Sequence, residues 1–348
     1  MPYLGIDIGG ANLKAADADG NAHAEAFAVW KQPDRLAERL GEILTTFPAT
    51  TALAVTMTAE LADCFETKAE GVDRILAAVE QAAQSLPVFV WQTGAEFVTP
   101  DVARDIPLLV AAANWHALAT WVGRVVPKGA ALLIDVGSTT ADLIPLRDGI
   151  PVPTGLTDVE RLKSGELVYT GVRRTPLCAI AASVPFGDGQ CPLAAEFFAT
   201  TLDVYITLGH INEDVADFDT ANGRAATKPA AHDRLARCLC CDRNEFSLDD
   251  AMAVCRFLAD AQRQTVTEAL SRVTSVLNEP YDNVLVSGSG AFLAEDVLDR
   301  HPLLKNVRRT SLRELFGDRM SEAACAMAVA RLATERLSAQ TTPPIQKH

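Results

Sequence analysis

Two short stretches of the chain carry the residue types that bind phosphate. Asp7-Ile8-Gly9-Gly10-Ala11-Asn12 and Asp135-Val136-Gly137-Ser138-Thr139-Thr140 each follow an apolar run, begin with an aspartate, pass through glycine, and lead into a second apolar run. A glycine turn between two strands bares successive N–H groups, which donate to phosphate oxygens. Gly9, Gly10 and Gly137 allow a close backbone approach that a side chain would block. Asn12, Ser138, Thr139 and Thr140 add polar side chains at the same place. An aspartate at the end of each strand suits Mg²⁺, which takes one or two carboxylates and completes its shell with water and phosphate oxygens. Seven residues past the aspartate the first copy has Lys14 and the second has Asp142. Lys14 is a natural point charge on phosphate, and Asp142 is a further candidate metal ligand beside Asp7 and Asp135. One such turn alone is commonplace. The duplication, with each copy opening a hairpin, marks a site.

A third loop fits the same chemistry. Val284-Leu285-Val286-Ser287-Gly288-Ser289-Gly290-Ala291 ends an apolar run and opens a helical pattern, so Gly288, Ser289 and Gly290 suit an anion or a ribose-phosphate. It does not read as a dinucleotide fingerprint, because the third glycine and the following acid are missing. No Gly-x₄-Gly-Lys-Ser/Thr loop occurs in the chain. The run Ser164 to Pro176 contributes an acid, a tyrosine and two arginines. Arg173 and Arg174 could clamp a diphosphate or a carboxylate bidentately. Glu166 or Tyr169 could take the proton of an incoming hydroxyl. The same run also reads as a solvated surface loop. The histidines show no paired spacing. Cys238-Leu239-Cys240-Cys241, with His232 upstream, matches none of the spacings of structural zinc sites and reads as a helix end.

The elements that must hold these residues are legible in outline. Leu4–Gly10, Leu13–Asp17 and Asn21–Trp30 read as three strands linked by hairpins, with Asp19-Gly20 as a turn. Helix and strand patterns then alternate: helix 33–46, strand 51–56, helix 72–85, strand 87–91, helix 111–122. The pattern restarts after Pro127-Lys128-Gly129 with strands at 130–136 and 141–146. It continues through a helical stretch at 194–264, a strand at 283–287, a short strand at 307–310 and a helix at 321–337. This order predicts an α/β fold of two ribonuclease-H-like domains, 1–127 and 128–340, the second with a helical insertion. A central phosphate-binding cleft lies between them, and 341–348 form a disordered tail.

The totals exclude some partners. A net charge of −14 gives no general attraction for nucleic acid or anionic lipid. Apolar runs such as 106–113 are far too short to span a membrane. The chain opens on Met1-Pro2-Tyr3 without a charged segment and apolar stretch, so a cytoplasmic protein is expected. A homo-oligomer stays open.

The three loops, in this order, resemble the phosphate and adenosine motifs of the superfamily of acetate and sugar kinases, heat-shock-70 proteins and actin. A narrower resemblance rests on Asn114-Trp115, on Ser164-Gly165-Glu166-Leu167-Val168-Tyr169-Thr170-Gly171-Val172-Arg173-Arg174-Thr175-Pro176, and on Asp203-Val204-Tyr205. These look like the short hydantoinase/oxoprolinase-related proteins of tetrahydromethanopterin-linked one-carbon metabolism, a group similar to the archaeal methanofuran-biosynthesis synthase. That enzyme joins an aminomethylfuran diphosphate to γ-glutamyltyramine and releases diphosphate. The resemblance implies a Mg²⁺-dependent transferase acting on a small-molecule diphosphate and a phenolic acceptor, with Asp7, Lys14, Asp135 and Glu166 catalytic. Asn114, Arg173 and Arg174 would join the glycine loops in binding. The residues themselves leave open an ATP-dependent kinase or ATPase, or a non-catalytic nucleotide sensor, with ATP or ADP in the cleft. The ring-opening activity of the far longer hydantoinases and oxoprolinases does not carry over. Asn222 stands where an acid is expected, so no role is assigned to it.

Overall fold

A computed structural model describes residues 2–277 and 279–340; the expected tail at 341–348 lies outside them. The first sheet is built from β1 (Tyr3–Gly9), β2 (Asn12–Asp17), β3 (Ala22–Ala26), β4 (Ala52–Thr58), β5 (Val88–Gln92) and β6 (Glu96–Val98), in the order β3-β2-β1-β4-β5-β6. Its helices are α1 (Leu36–Thr45), α2 (Lys68–Ala83), α3 (Pro100–Asp105), α4 (Pro107–Val110) and α5 (Asn114–Val122). The chain continues through β7 (Ala130–Val136), β8 (Ala141–Arg147), β9 (Ile150–Pro151), α6 (Asp158–Ser164) and β10 (Leu167–Val168). A hairpin of β11 (Ser183–Phe186) and β12 (Gly189–Pro192) precedes α7 (Thr201–Leu208), α8 (Lys228–Arg237) and α9 (Leu248–Thr274). Last come β13 (Asn283–Ser287), α10 (Ala291–Arg300), β14 (Arg308–Ser311), α11 (Leu312–Phe316), α12 (Asp318–Glu322) and α13 (Ala324–Gln340). The second sheet runs β10-β8-β7-β13-β14, with β9 also on β8. In both sheets the opening strand lies antiparallel to its hairpin partner and parallel to a later strand, β1 with β4 and β7 with β13. This is the paired ribonuclease-H-like architecture of the actin-like fold.

Alternation along the two opening strands decides which way the acids face. Leu4, Ile6 and Ile8 bury against α1 and α2 in the outer core of the first sheet, with Leu40, Val72 and Ile75. Tyr3 and Gly5 point the other way. In β7, Leu132, Ile134 and Val136 join the core around α9 and α10, while Ala131 and Leu133 face inward. The inward residues of both sheets share one core with Trp115 and Ala117 of α5 and with Ala328 and Leu332 of α13. Asp7 and Asp135 continue the inward series, so both acids face the layer between the sheets.

Close packing in that layer depends on small residues. A Cβ on Gly5 would lie 1.9 Å from the carbonyl oxygen of Ala326, so only glycine lets α13 rest on β1. Sequence position grouped α13 with the second domain, 128–340. The helix instead packs on β1, β2, β4 and α5, because its alanine-rich face fits the flat inner side of the first sheet.

Other expectations shift locally. The third strand ends at Ala26, since the N–H groups of Phe27 and Val29 turn back to the carbonyls of Ala11 and Gly10 (2.9 and 3.0 Å). Helix α5 begins at Asn114 rather than 111, because Ala112 is left-handed, with φ +47°. The helical stretch of the second half is preceded by the β11–β12 hairpin, and α6, stabilised by a capping box of Thr157 and Glu160, adds a helix beyond the sequence expectation. Among the described residues no helix is long and apolar enough to cross a membrane.

Gly5→Val should cost about 3 kcal/mol or more, as overpacking against a rigid helix backbone does. Thermal unfolding checks this; an unchanged melting temperature would refute the close approach of α13.

Candidate functional site

The seven-residue offset has a structural meaning. Asp7 is the cross-strand partner of Lys14 in the β1–β2 hairpin, and Asp135 is the partner of Asp142 in the β7–β8 hairpin. Directly opposed residues in an antiparallel pair project to the same side, with Cβ atoms about 5 Å apart. Each turn therefore presents a matched pair: acid and base in the first copy, acid and acid in the second.

The backbone of the turns is arranged to donate. Among the described residues, the N–H groups of Gly10, Ala11, Ser138, Thr139, Gly288 and Ser289 have no acceptor in the protein. These half-buried or exposed donors lie on three turns at the ends of β1, β7 and β13, open to a ligand or to water. The second and third turns touch. A Cβ on Gly288, at φ +88°, would lie 2.5 Å from Oδ1 of Asp135, and the Gly290 N–H donates to the Val136 carbonyl at 2.8 Å. Only glycine permits this approach. Gly171 is pressed in the same way onto the turn of Gly137 to Thr139. The N–H groups of Val172, Arg173 and Arg174 then bind the carbonyls of Gly137 and Ser138. The run recognised in the sequence is thus the splint of the second phosphate turn. Gln262 of α9 locks it from behind, donating to Thr170 Oγ1 (2.8 Å) and the Gly171 carbonyl (2.9 Å) while accepting from Tyr205 OH (2.6 Å).

The electrostatics favour an added cation. Asp7 is buried, and its Oδ1 has no hydrogen-bond partner among the described residues. Burial raises its pKa, opposed by Lys14 and by the amide of Asn114. Asp135 is pushed up to about 6, first by burial and then by Asp142, with Lys14 opposing. Cys325, at the start of α13, lies beneath the same charges, and burial with Asp7 and Asp135 drives its thiol well up. Among the described residues no three His, Cys, Asp or Glu side chains converge to hold a metal unaided, and that includes the Cys238 cluster. Mg²⁺ needs fewer, because it keeps water and rides on phosphate oxygens. The unpartnered Oδ1 of Asp7 and the half-buried Asp135 fit that requirement.

Several expected roles change. Asp142 is held in an ion pair with Arg161 (Nη2 to Oδ1, 2.6 Å), and the guanidinium of this buried arginine lies 3.9 Å from the centre of the Trp115 ring. Asp142 is therefore a partner for Arg161 and not a metal ligand. Glu166 is fully buried and accepts from the N–H groups of Thr154 and Gly155 and from the Ser164 hydroxyl. With its oxygens taken and no exposure, it cannot receive a substrate proton; it pins a wall of a cavity of about 810 Å³ between the halves, near His116 and Arg336. Arg173 pairs with Asp217 at 2.5 Å. Arg174 reaches across to the first half and lies over the Trp30 ring, 5.0 Å from its centre. Tyr169 is exposed. No local pattern in the sequence marks Arg161, Gln262 or the buried Glu60.

Asp7→Asn should separate function from folding. A carboxyl whose folded pKa is raised contributes stability below its unfolded pKa and loses it as pH rises through the folded value. At pH 8 the asparagine variant should therefore melt at or above the wild-type temperature, while losing the thermal shift expected of the wild type with Mg²⁺ and diphosphate. A variant that unfolds, or that keeps the full ligand shift, would contradict the placement of Asp7.

The hydantoinase/oxoprolinase family matches residues 51–336. The chain is 34% identical to the (4-{4-[2-(gamma-L-glutamylamino)ethyl]phenoxymethyl}furan-2-yl)methanamine synthase of Methanocaldococcus jannaschii over 337 residues, 96% of this chain and 98% of that protein. It is 30% identical to the synthase of the same name from Methanococcus vannielii over 64% of this chain and 98% of that one. Among solved structures it is similar to component A of the (R)-2-hydroxyglutaryl-CoA dehydratase of Acidaminococcus fermentans, at 10% identity and a TM-score of 0.46 over 97% of this chain and 99% of that chain. With the match to the family spanning most of its length and both synthases aligned over nearly all of theirs, the chain belongs to the hydantoinase/oxoprolinase family.

Proposed function

We propose that the protein is a transferase that joins a furfuryl diphosphate to a phenol, forming an ether and releasing diphosphate, in the assembly of a methanofuran-type one-carbon carrier. The observation that carries this reading is the cradle of unpaired N–H groups around Asp7, Asp135 and Lys14, in a chain related over nearly its whole length to a synthase named for a phenoxymethyl-furan product. That name describes an ether between a phenol and a carbon attached to furan. Such a carbon stabilises positive charge, so the step calls for leaving-group stabilisation more than for a strong nucleophile.

The chain's own groups supply it. The N–H groups of the three turns and the Lys14 ammonium hold the diphosphate. Mg²⁺, held by Asp7 and Asp135 with water and phosphate oxygens, would add positive charge against the departing group. Asn114 lies beside Asp7, and Gly171 with Gln262 keeps the second turn in place.

The test is mass spectrometry of the protein with a furfuryl diphosphate and a tyramine derivative, with Mg²⁺ or with EDTA. The coupled ether and free diphosphate are expected with Mg²⁺, without ATP, and not with EDTA. ATP hydrolysis or phosphate transfer in the absence of any ether would replace this reading with a kinase or ATPase. Nucleotide binding with no turnover would replace it with a sensor.

A further inference from the structure

We propose that the cavity between the halves is a second small-molecule site, which takes a carboxylate carried on an apolar stem. The inference goes beyond the transferase reading and uses no residue of the phosphate turns.

Helix α5 stands between the two sites. At about 3.6 residues per turn, Asn114 falls on one side of it and His116 and Thr120 on the other. Asn114 lies beside Asp7, whereas His116 and Thr120 line the cavity of about 810 Å³. That volume suits a small organic ligand. Ala95, Val152, Pro153 and Leu156 give the cavity an apolar wall, with Ile150 at its rim.

Arg336 of α13 supplies the charge. It is half-buried and has no ion pair among the described residues, because the neighbouring Glu335 is taken by Arg124 at 2.8 Å. Its Nη1 donates to the carbonyl of Ala95, and the guanidinium lies 5.1 Å from the centre of the Trp91 ring. Ala95 is left-handed, with φ +67°, an uncommon conformation for a residue with a Cβ. These contacts hold the guanidinium in place and leave its other N–H groups without an acceptor among the described residues. Burial first, and then Arg124, lower the pKa of Arg336 against the pull of Glu335 and Glu96. A bound anion would offset the repulsion between the two arginines.

Two neutral donors stand with it. His116 is 5% exposed, and burial, followed by Arg336 and Arg161, brings its pKa down to about 4, so the ring is neutral at pH 7. The indole N–H of Trp91 can only donate. Nδ1 of His116 therefore accepts it, at 3.3 Å, and the ring proton sits on Nε2, which has no acceptor among the described residues. Thr93 also lines the cavity; it is 3% exposed, and its hydroxyl has no partner among the described residues. Buried polar groups left unpaired cost free energy, which acceptor oxygens of a ligand would recover. A guanidinium fork binds the two oxygens of a carboxylate side by side, and the apolar wall receives the hydrocarbon stem.

Titration calorimetry of the full chain with 3-phenylpropionate, with its neutral analogue 3-phenylpropanamide and with inorganic phosphate tests the assignment. The wild type should bind the carboxylate at millimolar concentration and the amide more weakly. Arg336→Gln should weaken carboxylate binding roughly ten- to a hundred-fold, the range for losing hydrogen bonds to a charged group, and leave the amide unchanged. Arg336→Lys should restore part of the loss. Ile150→Asp, at a position 64% exposed, should repel the carboxylate without disturbing the core, and it decides the matter if Arg336→Gln fails to fold. Lys14→Ala should bind the carboxylate as the wild type does. No carboxylate binding by the wild type, or equal affinity for acid and amide, would overturn the proposal. So would carboxylate binding that survives the Arg336→Gln or Ile150→Asp change in a folded variant. Arg336-dependent binding of phosphate tighter than that of the carboxylate would overturn the ligand class, and loss of carboxylate binding in Lys14→Ala would move it to the phosphate turns and overturn the second site.

Discussion

Two desolvated carboxylates facing one buried layer set the terms for the rest of this molecule. Asp7 and Asp135 end the inner faces of two sheets, burial raises the pKa of both, and Lys14 opposes the shift in each. Burying like charges near one another is costly unless something compensates. The second hairpin adds a third acid, Asp142, which the fold neutralises internally with the buried Arg161 stacked on Trp115. The first two acids have Lys14 opposing their charge, and the function proposed above gives them a ligand that brings its own cation. Phosphate with Mg²⁺ meets that need, and the surrounding N–H groups suit its oxygens.

Close approach makes this arrangement possible. Gly5 admits α13 onto β1, Gly288 admits the third turn onto Asp135, and Gly171 admits the splint onto the second turn. In each case a methyl group would collide with backbone or carboxylate. Stability and site geometry therefore depend on the same few positions, and the inter-sheet helices α5 and α13 serve at once as core and as the floor of the site.

The parts of this arrangement that repeat were legible in the sequence. The duplicated Asp-x-Gly turns, and the offset that proves to be cross-strand pairing, could be read because a hairpin of fixed loop length imposes fixed spacing. The third loop was legible as a strand running into a helix. What could not be read was set by contacts distant in the chain. Asp142 looks the same as Asp135 until Arg161 arrives from a helix whose capping box went unread. Glu166 looks like a proton carrier until the N–H groups of Thr154 and Gly155 close around it. The place of α13 depends on the missing Cβ of Gly5, more than three hundred residues away by sequence.

The central claim, that Lys14 and the flanking acids grip a diphosphate bound with Mg²⁺, is tested most directly by titration calorimetry of Mg²⁺–diphosphate against wild type and Lys14→Ala. Loss of a charged hydrogen bond to phosphate predicts binding weaker by about 1.5–3 kcal/mol, roughly ten- to a hundred-fold in Kd, with the fold unchanged. Equal affinity in the two proteins would contradict it.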